Sequence, residues 1–310
     1  MTALAVDAGQ TEIRTALGDG LTASAPGVQR MDAANVGPDA VAAALLAAVA
    51  ALGPLAEPPE SVGVGLSGFE AAGEGDLRKV EHALRRSVGA SRIAIASDGV
   101  TALLGALGDR PGAVVAAGTG TIVVARGAHG WAKVDGWGSL LGDDGSGFAI
   151  GRAGLQAALR EIDGRGGSKA LLQAAEARFG EAERMSETVH RSEVPTRTVA
   201  SFALDVARVA EGGDETAIAI LADAARELAI SACAALAQVF PPGEQAAVSW
   251  AGNVFRAGAL LRDPFQRELR ARRPAVEVVE PAADALAGAA LLAERAEALP
   301  FDARLLWRAA

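Results

Sequence analysis

The chain offers few residues for metal or redox chemistry. It has one cysteine, Cys233, in an apolar helical stretch, and three histidines that lie far apart in the sequence. One cysteine cannot form an intrachain disulfide, and without a neighbouring ligand it cannot hold zinc or an iron–sulfur cluster. We therefore expect Cys233 to be a small, buried apolar residue.

A basic surface and a membrane-spanning segment are also missing. The formal net charge of the 310 residues is −9, which argues against a nucleic-acid or anionic membrane surface. The start, MTALAVDAG, has no basic region and is not typical of a signal peptide. The longest apolar runs, such as 40–52, are too short to span a bilayer. We expect a cytoplasmic protein with no nucleic-acid or membrane partner.

Three common catalytic motifs are absent from the sequence. There is no G-x-x-x-x-G-K-[ST] phosphate loop, no G-x-S-x-G nucleophile elbow and no H-E-x-x-H zinc motif. These absences weaken assignments to P-loop nucleotidases, serine hydrolases of that type and zinc proteases.

The hydrophobic pattern that is present predicts an α/β protein. Three short strands fill the first 25 residues, and helices and strands then alternate. The region from about 147 to 240 is mostly helical, with the polar run 181–196 expected to be a helix end and a loop. Strands are predicted at 61–68, 92–97, 247–251 and 275–280, and helices at 38–52, 74–88, 98–107 and 284–299.

A weak internal repeat indicates two domains of one design. LAVDAGQTEIR and VVAAGTGTIVV each consist of a strand, a turn of small residues and a second strand. Glycine lets the backbone of such a turn approach a ligand closely, and threonine hydroxyls can bind a phosphate or a sugar. The repeat begins again near residue 110, so we expect two like domains with both turns at one cleft.

The first turn carries a candidate metal site. Asp7 ends a buried strand beside Gly9 and Thr11, and this arrangement suits a magnesium ion held mostly through water. A plain turn is an equally good interpretation of these three residues. Arg14 lies on the next strand and is expected to face either the cleft or the solvent.

Asp98 is the candidate general base. It follows the apolar strand RIAIAS and opens a helix, at the strand end where α/β proteins bind ligands. A carboxylate there could take the proton from an attacking hydroxyl. The alternative is that Asp98 is only a helix N-cap.

The glycine-rich run GWGSLLGDDGSG, residues 136–147, is expected to be a binding loop rather than a linker. Trp137 could pack on a sugar face, and Asp143 could accept hydrogen bonds from sugar hydroxyls. The alternative for Asp144 or Ser146 is to cap the helix that starts near Gly147. Asn35 and the pair Ser67–Gly68 are open to either a structural or a sugar-binding interpretation.

These motifs together resemble one family. DAGQT, LSGF, ASDG, AAGTGT, DGWGSLLGDDGSG, WAGNVF and DALAGAALLA occur in the order seen in N-acetylglucosamine kinases. That family belongs to the BadF/BadG-type branch of the actin-like ATPase and sugar kinase superfamily. The resemblance implies an α/β fold of two actin-like (ribonuclease H-like) domains with a central cleft. It places residues 1–108 and 284–310 in the N-terminal domain and 109–283 in the C-terminal domain.

The resemblance also implies ATP and Mg2+ as cofactors and an amino sugar as substrate. Asp98 would be the catalytic base, and Asp7 would lie near the metal. This chain has Gln10 where the family often has glycine, and Thr121 where serine is common. The nucleotide-binding residues would be Asp7, Gly9, Gln10, Thr11, Arg14, Gly118, Thr119, Gly120, Gly252 and Asn253. The sugar-binding residues would be Asn35, Ser67, Gly68, Asp98, Thr121, Ile122, Gly136, Trp137, Gly138 and Asp143.

The implied activity is phosphorylation of the 6-hydroxyl of N-acetylglucosamine, and glucosamine kinase is the alternative in the same family. An activator-type ATPase of the same branch needs cysteines for an iron–sulfur cluster, which one cysteine does not supply. A non-catalytic sugar sensor is disfavoured by the acidic charge and by the lack of a helix-turn-helix before the kinase-like region. A homodimer is expected only by analogy with the family.

Overall fold

The chain forms two compact units, each with its own β-sheet. The computed structural model describes residues 2–18, 20–27 and 37–308. The first unit comprises Met1–Val114 and Glu280–Ala310, and the second comprises Val115–Val279. The domain boundaries predicted from the sequence lie at 108/109 and 283/284.

Strands and helices alternate in parts of the chain, and a run of six helices lies in its middle. The N-terminal segment contains β1 (Ala3–Ala8), β2 (Glu12–Leu17), β3 (Leu21–Pro26), α1 (Pro38–Ala50), β4 (Ser61–Leu66), α2 (Glu74–Val88), β5 (Arg92–Ser97) and α3 (Asp98–Leu107). The middle segment contains β6 (Gly112–Ala117), β7 (Thr121–Gly127), β8 (Gly130–Asp135), α4 (Gly147–Ile162), α5 (Lys169–Phe179), α6 (Ala182–His190), α7 (Pro195–Ser201), α8 (Ala203–Glu211), α9 (Glu215–Val239), β9 (Ala246–Ala251), α10 (Ala259–Arg272) and β10 (Val276–Val278). The chain ends with α11 (Ala285–Arg295) and β11 (Leu306–Arg308).

The sheet of the first unit has the order β11-β5-β4-β1-β2-β3. Its three central strands, β1, β4 and β5, are parallel and almost wholly buried, which explains their near-continuous apolar sequences. On one face α11 packs tightly on α3 and β4. A Cβ at Gly288 would overlap the carbonyl oxygen of Thr101, and one at Gly63 would overlap that of Ala289. These glycines therefore allow the closing helix to lie against the sheet.

The sheet of the second unit has the order β10-β9-β6-β7-β8, and α4 to α9 form the helical region that the sequence predicts. In the β7–β8 hairpin Ile122 is paired with Asp135, so the residues after Asp135 begin beside the G-T-G-T turn. The predicted loop at 181–196 is partly wrong, because α6 and the start of α7 lie within it. The mixed strands and helices of both units confirm the α/β class.

Two further expectations can be compared with the structure. Cys233 is half-buried rather than fully buried, and burial raises the pKa of its thiol although Arg272 and Arg273 oppose the shift. No helix among the described residues has both the length and the apolar character to cross a bilayer.

Candidate functional site

The parallel strands of the first unit bring its candidate residues to one edge. Ala8 is paired with Leu66 on β4, and Leu66 is paired with Ser97 on β5. The carboxyl ends of all three strands therefore lie side by side. The residues that follow them are the first turn, the Ser67–Gly68 pair and Asp98, so the sheet gathers three groups that are up to 90 residues apart in the sequence.

Asp7 lies in an ion-pair network at this edge. The Nη2 of Arg14 donates to Asp7 Oδ2 at 2.6 Å and the Nε donates to the same oxygen at 3.2 Å. The Nη1 of Arg14 donates to Asp284 Oδ2 at 2.6 Å. Asp284 is also the N-cap of α11, where its Oδ1 accepts a hydrogen bond from Ala287 N. Arg14 thus faces two carboxylates.

The charges in this network have shifted affinities for protons. Burial raises the pKa of Asp7, and the opposing effect of Arg14 does not cancel it. Burial also acts to raise the pKa of Asp284, but the Ala287 amide and Arg14 outweigh it and the pKa is lowered. The sequence did not predict that Arg14 pairs with either carboxylate. Asp284 lies 270 residues from Arg14 along the chain.

The first turn is closed by its own backbone. Gly9 N donates to Glu12 O at 3.0 Å, and Thr11 O accepts from Gly27 N at 3.0 Å. Gln10 and Thr11 are exposed, and the Nε2 of Gln10 lies 3.5 Å from Ser67 Oγ. The side chains of Gln10 and Thr11 are therefore the accessible polar groups of this turn.

Asp98 is the first residue of α3 and is partly exposed. The N-cap position belongs to Ser97, so the interpretation of Asp98 as the N-cap is wrong. The first turn of a helix favours a negative charge. Asp98 therefore presents a carboxylate at the edge to which the parallel strands lead.

In the second unit the G-T-G-T turn is fixed on the N-terminus of α4. Gly118 N donates to Gly120 O at 2.9 Å, which closes the turn. The carbonyl oxygens of Gly118 and Thr119 accept hydrogen bonds from Gly147 N and Phe148 N. Ser146, one of the two N-cap candidates, caps α4, because its Oγ accepts a hydrogen bond from Ala149 N.

Thr121 follows the turn and carries a buried, unsatisfied hydroxyl. The residue is 3% exposed, and its Oγ1 makes no hydrogen bond to any residue that the structure describes. Buried hydroxyls nearly always have a partner, so one without requires an explanation such as a bound molecule. Ile122, the next residue, is partly buried.

The loop that follows β8 is organised around Asp135, a residue that sequence reasoning missed. Asp135 Oδ1 accepts from Gly136 N and from Asp143 N, each at 2.8 Å, and Oδ2 accepts from Asp144 N at 3.1 Å. The available signal was an aspartate directly before Gly-Trp-Gly and eight residues before a second aspartate.

The loop and the G-T-G-T turn meet at Asp143. A Cβ on Gly120 would lie 2.5 Å from Asp143 Oδ2, so only glycine allows the carboxylate to lie there. Asp143 has a φ of +60° and is 8% exposed. Gly136 and Gly138 also adopt positive φ values, which glycine adopts without strain.

Trp137, Leu140 and Leu141 project from the same loop into solvent. Trp137 is 74% exposed and Leu140 is 93% exposed. Lys133 Nζ lies 5.8 Å from the ring centroid of Trp137, within reach of a cation–π interaction. The loop therefore presents an accessible aromatic face.

Gly252 directly follows β9 and lies beside the start of the G-T-G-T turn. Its φ is +94°, and a Cβ there would overlap the carbonyl oxygen of Ala117, directly before the turn. Asn253 then begins a short 3-10 turn and is exposed. Gly252 thus lets the end of β9 pass close to the turn.

The structure groups the candidate residues within each unit. The first unit brings together Asp7, Gly9, Gln10, Thr11, Arg14, Ser67, Gly68 and Asp98, and the second brings together Gly118, Thr119, Gly120, Thr121, Ile122, Gly136, Trp137, Gly138, Asp143, Gly252 and Asn253. Asn35 lies outside the described residues. Within the part of the chain that the structure describes, no three acidic, histidine or cysteine side chains form a metal cluster.

Comparison with solved structures identifies the fold. The crystal structure of a ROK family glucokinase from Streptomyces griseus, bound to glucose and AMPPNP, has a TM-score of 0.58 and 18% identity. The match covers 95% of this chain and 100% of that chain. The two-sheet α/β chain thus has the actin-like fold of sugar kinases.

The sequence then identifies the family. Residues 7–293 match the BadF/BadG/BcrA/BcrD ATPase family, and the chain belongs to it. An N-acetylmuramic acid/N-acetylglucosamine kinase from Clostridium acetobutylicum is 32% identical over 213 residues, covering 67% of this chain and 69% of that protein. A Chromobacterium violaceum protein, provisionally assigned as an N-acetylglucosamine kinase, is 29% identical, with a TM-score of 0.70 and coverage of 94% of this chain and 98% of that one.

Proposed function

We propose that the protein transfers the γ-phosphoryl group of ATP to the 6-hydroxyl of N-acetylglucosamine. The observation that supports this most is the buried Thr121 hydroxyl, which lacks a partner among the described residues beside the Gly120–Asp143 contact. A sugar hydroxyl bound there would satisfy it. The names of the Clostridium and Chromobacterium relatives supply the substrate class.

The sugar would be held by the loop and the start of β7. Asp143 would accept hydrogen bonds from sugar hydroxyls, and Trp137 would pack on the sugar face. Hydrogen bonds to a carboxylate are stronger than those between neutral groups, so they would hold the sugar firmly and in one orientation. Gly136, Gly138 and Ile122 would form the walls, and Ser67, Gly68 and Asn35 would serve the same substrate.

Asp98 would act as the general base. It would accept the proton of the 6-hydroxyl as the oxygen attacks the γ-phosphorus and the bond to the β-phosphate oxygen breaks, giving ADP and the sugar phosphate. Phosphoryl transfer mainly requires that the reacting groups be positioned and that charge be neutralised. Asp98, directly after β5, would position the attacking hydroxyl.

The residues of both turns fit a magnesium nucleotide. The two hydrogen bonds from Arg14 to Asp7 both end on Oδ2, so we assign Oδ1 of Asp7 to the water shell of Mg2+. Mg2+ keeps several waters and needs only one or two carboxylates, which agrees with the lack of a three-ligand cluster among the described residues. When bound, Mg2+ neutralises the charge on the phosphates.

The phosphates would be bound by the two turns. The amides of Gly9 and Gly118 already donate within those turns, so Gln10, Thr11, Thr119 and Gly120 are the donors that we assign to phosphate. Gly252 and Asn253 would border the adenosine.

Glucosamine is the second candidate acceptor, because an aspartate and a tryptophan would also bind an unacetylated amino sugar. N-acetylmuramic acid is the third, because the name of the Clostridium relative includes it. An activator-type ATPase remains disfavoured by the single cysteine. We expect a homodimer only by analogy.

ADP release with Mg-ATP and each sugar in turn tests the proposal. N-acetylglucosamine should stimulate release, and its 6-deoxy analogue should not. Stimulation by glucosamine or N-acetylmuramic acid alone would overturn the proposed substrate. Release that no sugar changes would overturn the kinase assignment.

A further inference from the structure

Asp135 ties together the two ends of the loop that contains Trp137 and Asp143. It is the last residue of β8 and is 8% exposed. Its two carboxylate oxygens accept hydrogen bonds from the amides of Gly136, at the start of the loop, and of Asp143 and Asp144, at its end. Hydrogen bonds to an ionised acceptor are the strong ones, so these three hold the loop closed.

The backbone at Asp135 is in a conformation that aspartate adopts at a cost. Its φ is +64°, in the left-handed region that favours glycine. A glycine would remove that strain but would also remove the acceptor for three amides. The side chain, rather than the backbone conformation, is therefore the part of Asp135 that the loop needs.

The apolar residues of the loop do not hold it in place. Trp137, Leu140 and Leu141 are all exposed and so contribute little packing. A Cβ on Gly142 would lie 2.5 Å from Asp135 Oδ1, which shows how closely the loop backbone wraps around this carboxylate. The loop is therefore held by polar contacts, and those to Asp135 join its two ends.

The consequence reaches the carboxylate of Asp143. Its backbone amide is held by Asp135 at 2.8 Å, and its side chain lies against Gly120 on the neighbouring turn. If the amide were released, the backbone of Asp143 would lose its contact with Asp135. We propose that Asp135 is a positioning residue for the sugar, acting through Asp143 and Trp137; this assignment rests on the proposed function.

Two substitutions separate the carboxylate from the backbone. Asp135→Gly removes all three acceptor contacts and relieves the positive φ. Asp135→Asn tolerates the same φ and keeps Oδ1 for two of the three amides, while its NH2 group replaces the oxygen facing Asp144 N. We expect Asp135→Gly to raise the KM for N-acetylglucosamine at least tenfold and Asp135→Asn to raise it less. The KM for ATP should stay within twofold in both.

Asp214→Ala is the matched control. Asp214 is another carboxylate of the same unit that holds a backbone amide, that of Ala217, and it also accepts from Ser168 Oγ. We expect its loss to lower the melting temperature without changing the KM for the sugar. A purely structural Asp135 would behave in the same way.

Hydrogen exchange supplies a readout that does not require turnover. In Asp135→Gly the amides of residues 136, 143 and 144 should exchange at least tenfold faster, whereas those of α9 should not change. Faster exchange together with the selective rise in sugar KM supports the assignment.

An unchanged sugar KM in an Asp135→Gly protein that is folded and active would overturn the assignment while leaving the proposed function intact. If Asp135→Gly does not fold, the sugar KM of Asp135→Asn decides in the same way. If the wild-type protein phosphorylates none of the sugars, the proposed function and this assignment both fail.

Discussion

Gly120 leaves the space that the carboxylate of Asp143 fills. A Cβ at Gly120 would lie 2.5 Å from Asp143 Oδ2 and 3.0 Å from its Cγ. The two residues belong to different motifs, 23 positions apart in the sequence. Their contact joins the turn that we assign to phosphate with the loop that we assign to the sugar.

Gly120→Ala should therefore impair sugar binding. The added methyl group would displace the Asp143 carboxylate by more than a few tenths of an ångström, since real Cβ atoms do not approach this closely. We expect the KM for N-acetylglucosamine to rise about tenfold, which corresponds to about 1.4 kcal/mol. Steady-state kinetics at saturating ATP would measure it.

Gly75→Ala provides the control for the glycine replacement. Gly75 lies in α2 of the first unit, and a Cβ there would meet nothing within 4 Å. Its kinetics should match the wild type. A Gly120→Ala enzyme with unchanged sugar KM would show that Asp143 does not bind the sugar.

Asp98→Asn should abolish most turnover while preserving binding. The amide matches the carboxylate in size but cannot accept the proton of the attacking hydroxyl, so kcat should fall roughly 100-fold or more. Calorimetric titration should give sugar and nucleotide affinities close to those of the wild type. Asp76→Asn, in the first turn of α2, is the matched control. Near-normal kcat in Asp98→Asn would remove Asp98 from the role of base.

Arg14→Met should destabilise the protein in a way that depends on pH. Without the cation, the pKa of Asp7, already raised by burial, would rise further. The folded state already takes up this proton at a higher pH than the unfolded state, and the substitution would widen that difference, so the loss of stability relative to the wild type would shrink as the pH falls from neutral. Near pH 7 we expect a loss of about 1–3 kcal/mol, and urea unfolding at several pH values would measure it.

Two variants check this explanation. Arg78→Met breaks an exposed pair with Glu74 and should change the unfolding free energy by no more than about 0.5 kcal/mol. Adding Asp7→Asn to Arg14→Met should restore part of the lost stability at pH 7. If the loss in Arg14→Met were the same at pH 4 and pH 7, Asp7 would not be its cause.

Trp137→Ala should weaken sugar binding without affecting stability. The side chain is mostly exposed, so its removal costs little packing. An aromatic contact with a sugar face is worth about 0.5–1.5 kcal/mol on the scale of aromatic pairs, so the sugar KM should rise about two- to tenfold. Leu204→Ala, an exposed apolar residue of α8, should change neither quantity. An unchanged sugar KM in Trp137→Ala would exclude stacking.

Much of the fold could be predicted because its signals are local. The buried parallel strands β4 and β5 show as apolar runs, and the Gly-Thr turns show as breaks between β-branched segments. Asp98 is a candidate in the sequence because it follows such a strand directly. β8 and β11 were not predicted, because polar residues such as His129 and Lys133 interrupt the apolar pattern at β8 and β11 has only three residues.

The missed residues depend on contacts that only the folded chain creates. Asp284 is only the first residue of a predicted helix in the sequence, and its bond to Arg14 joins residues 270 positions apart. Asp135 has no distinctive place in the sequence pattern, and its contacts arise only when the loop folds back on it. The sugar preference is beyond the sequence for the same reason, since the sugar-binding residues that we propose come from separate segments of the chain.

The product of the reaction tests the central claim most directly. The protein would be incubated with Mg-ATP and N-acetylglucosamine, and the product examined by NMR that correlates phosphorus with sugar protons. We predict a correlation between the phosphate and the two protons on C6. A correlation with the anomeric proton instead, or ADP formed with no sugar phosphate, would contradict the account.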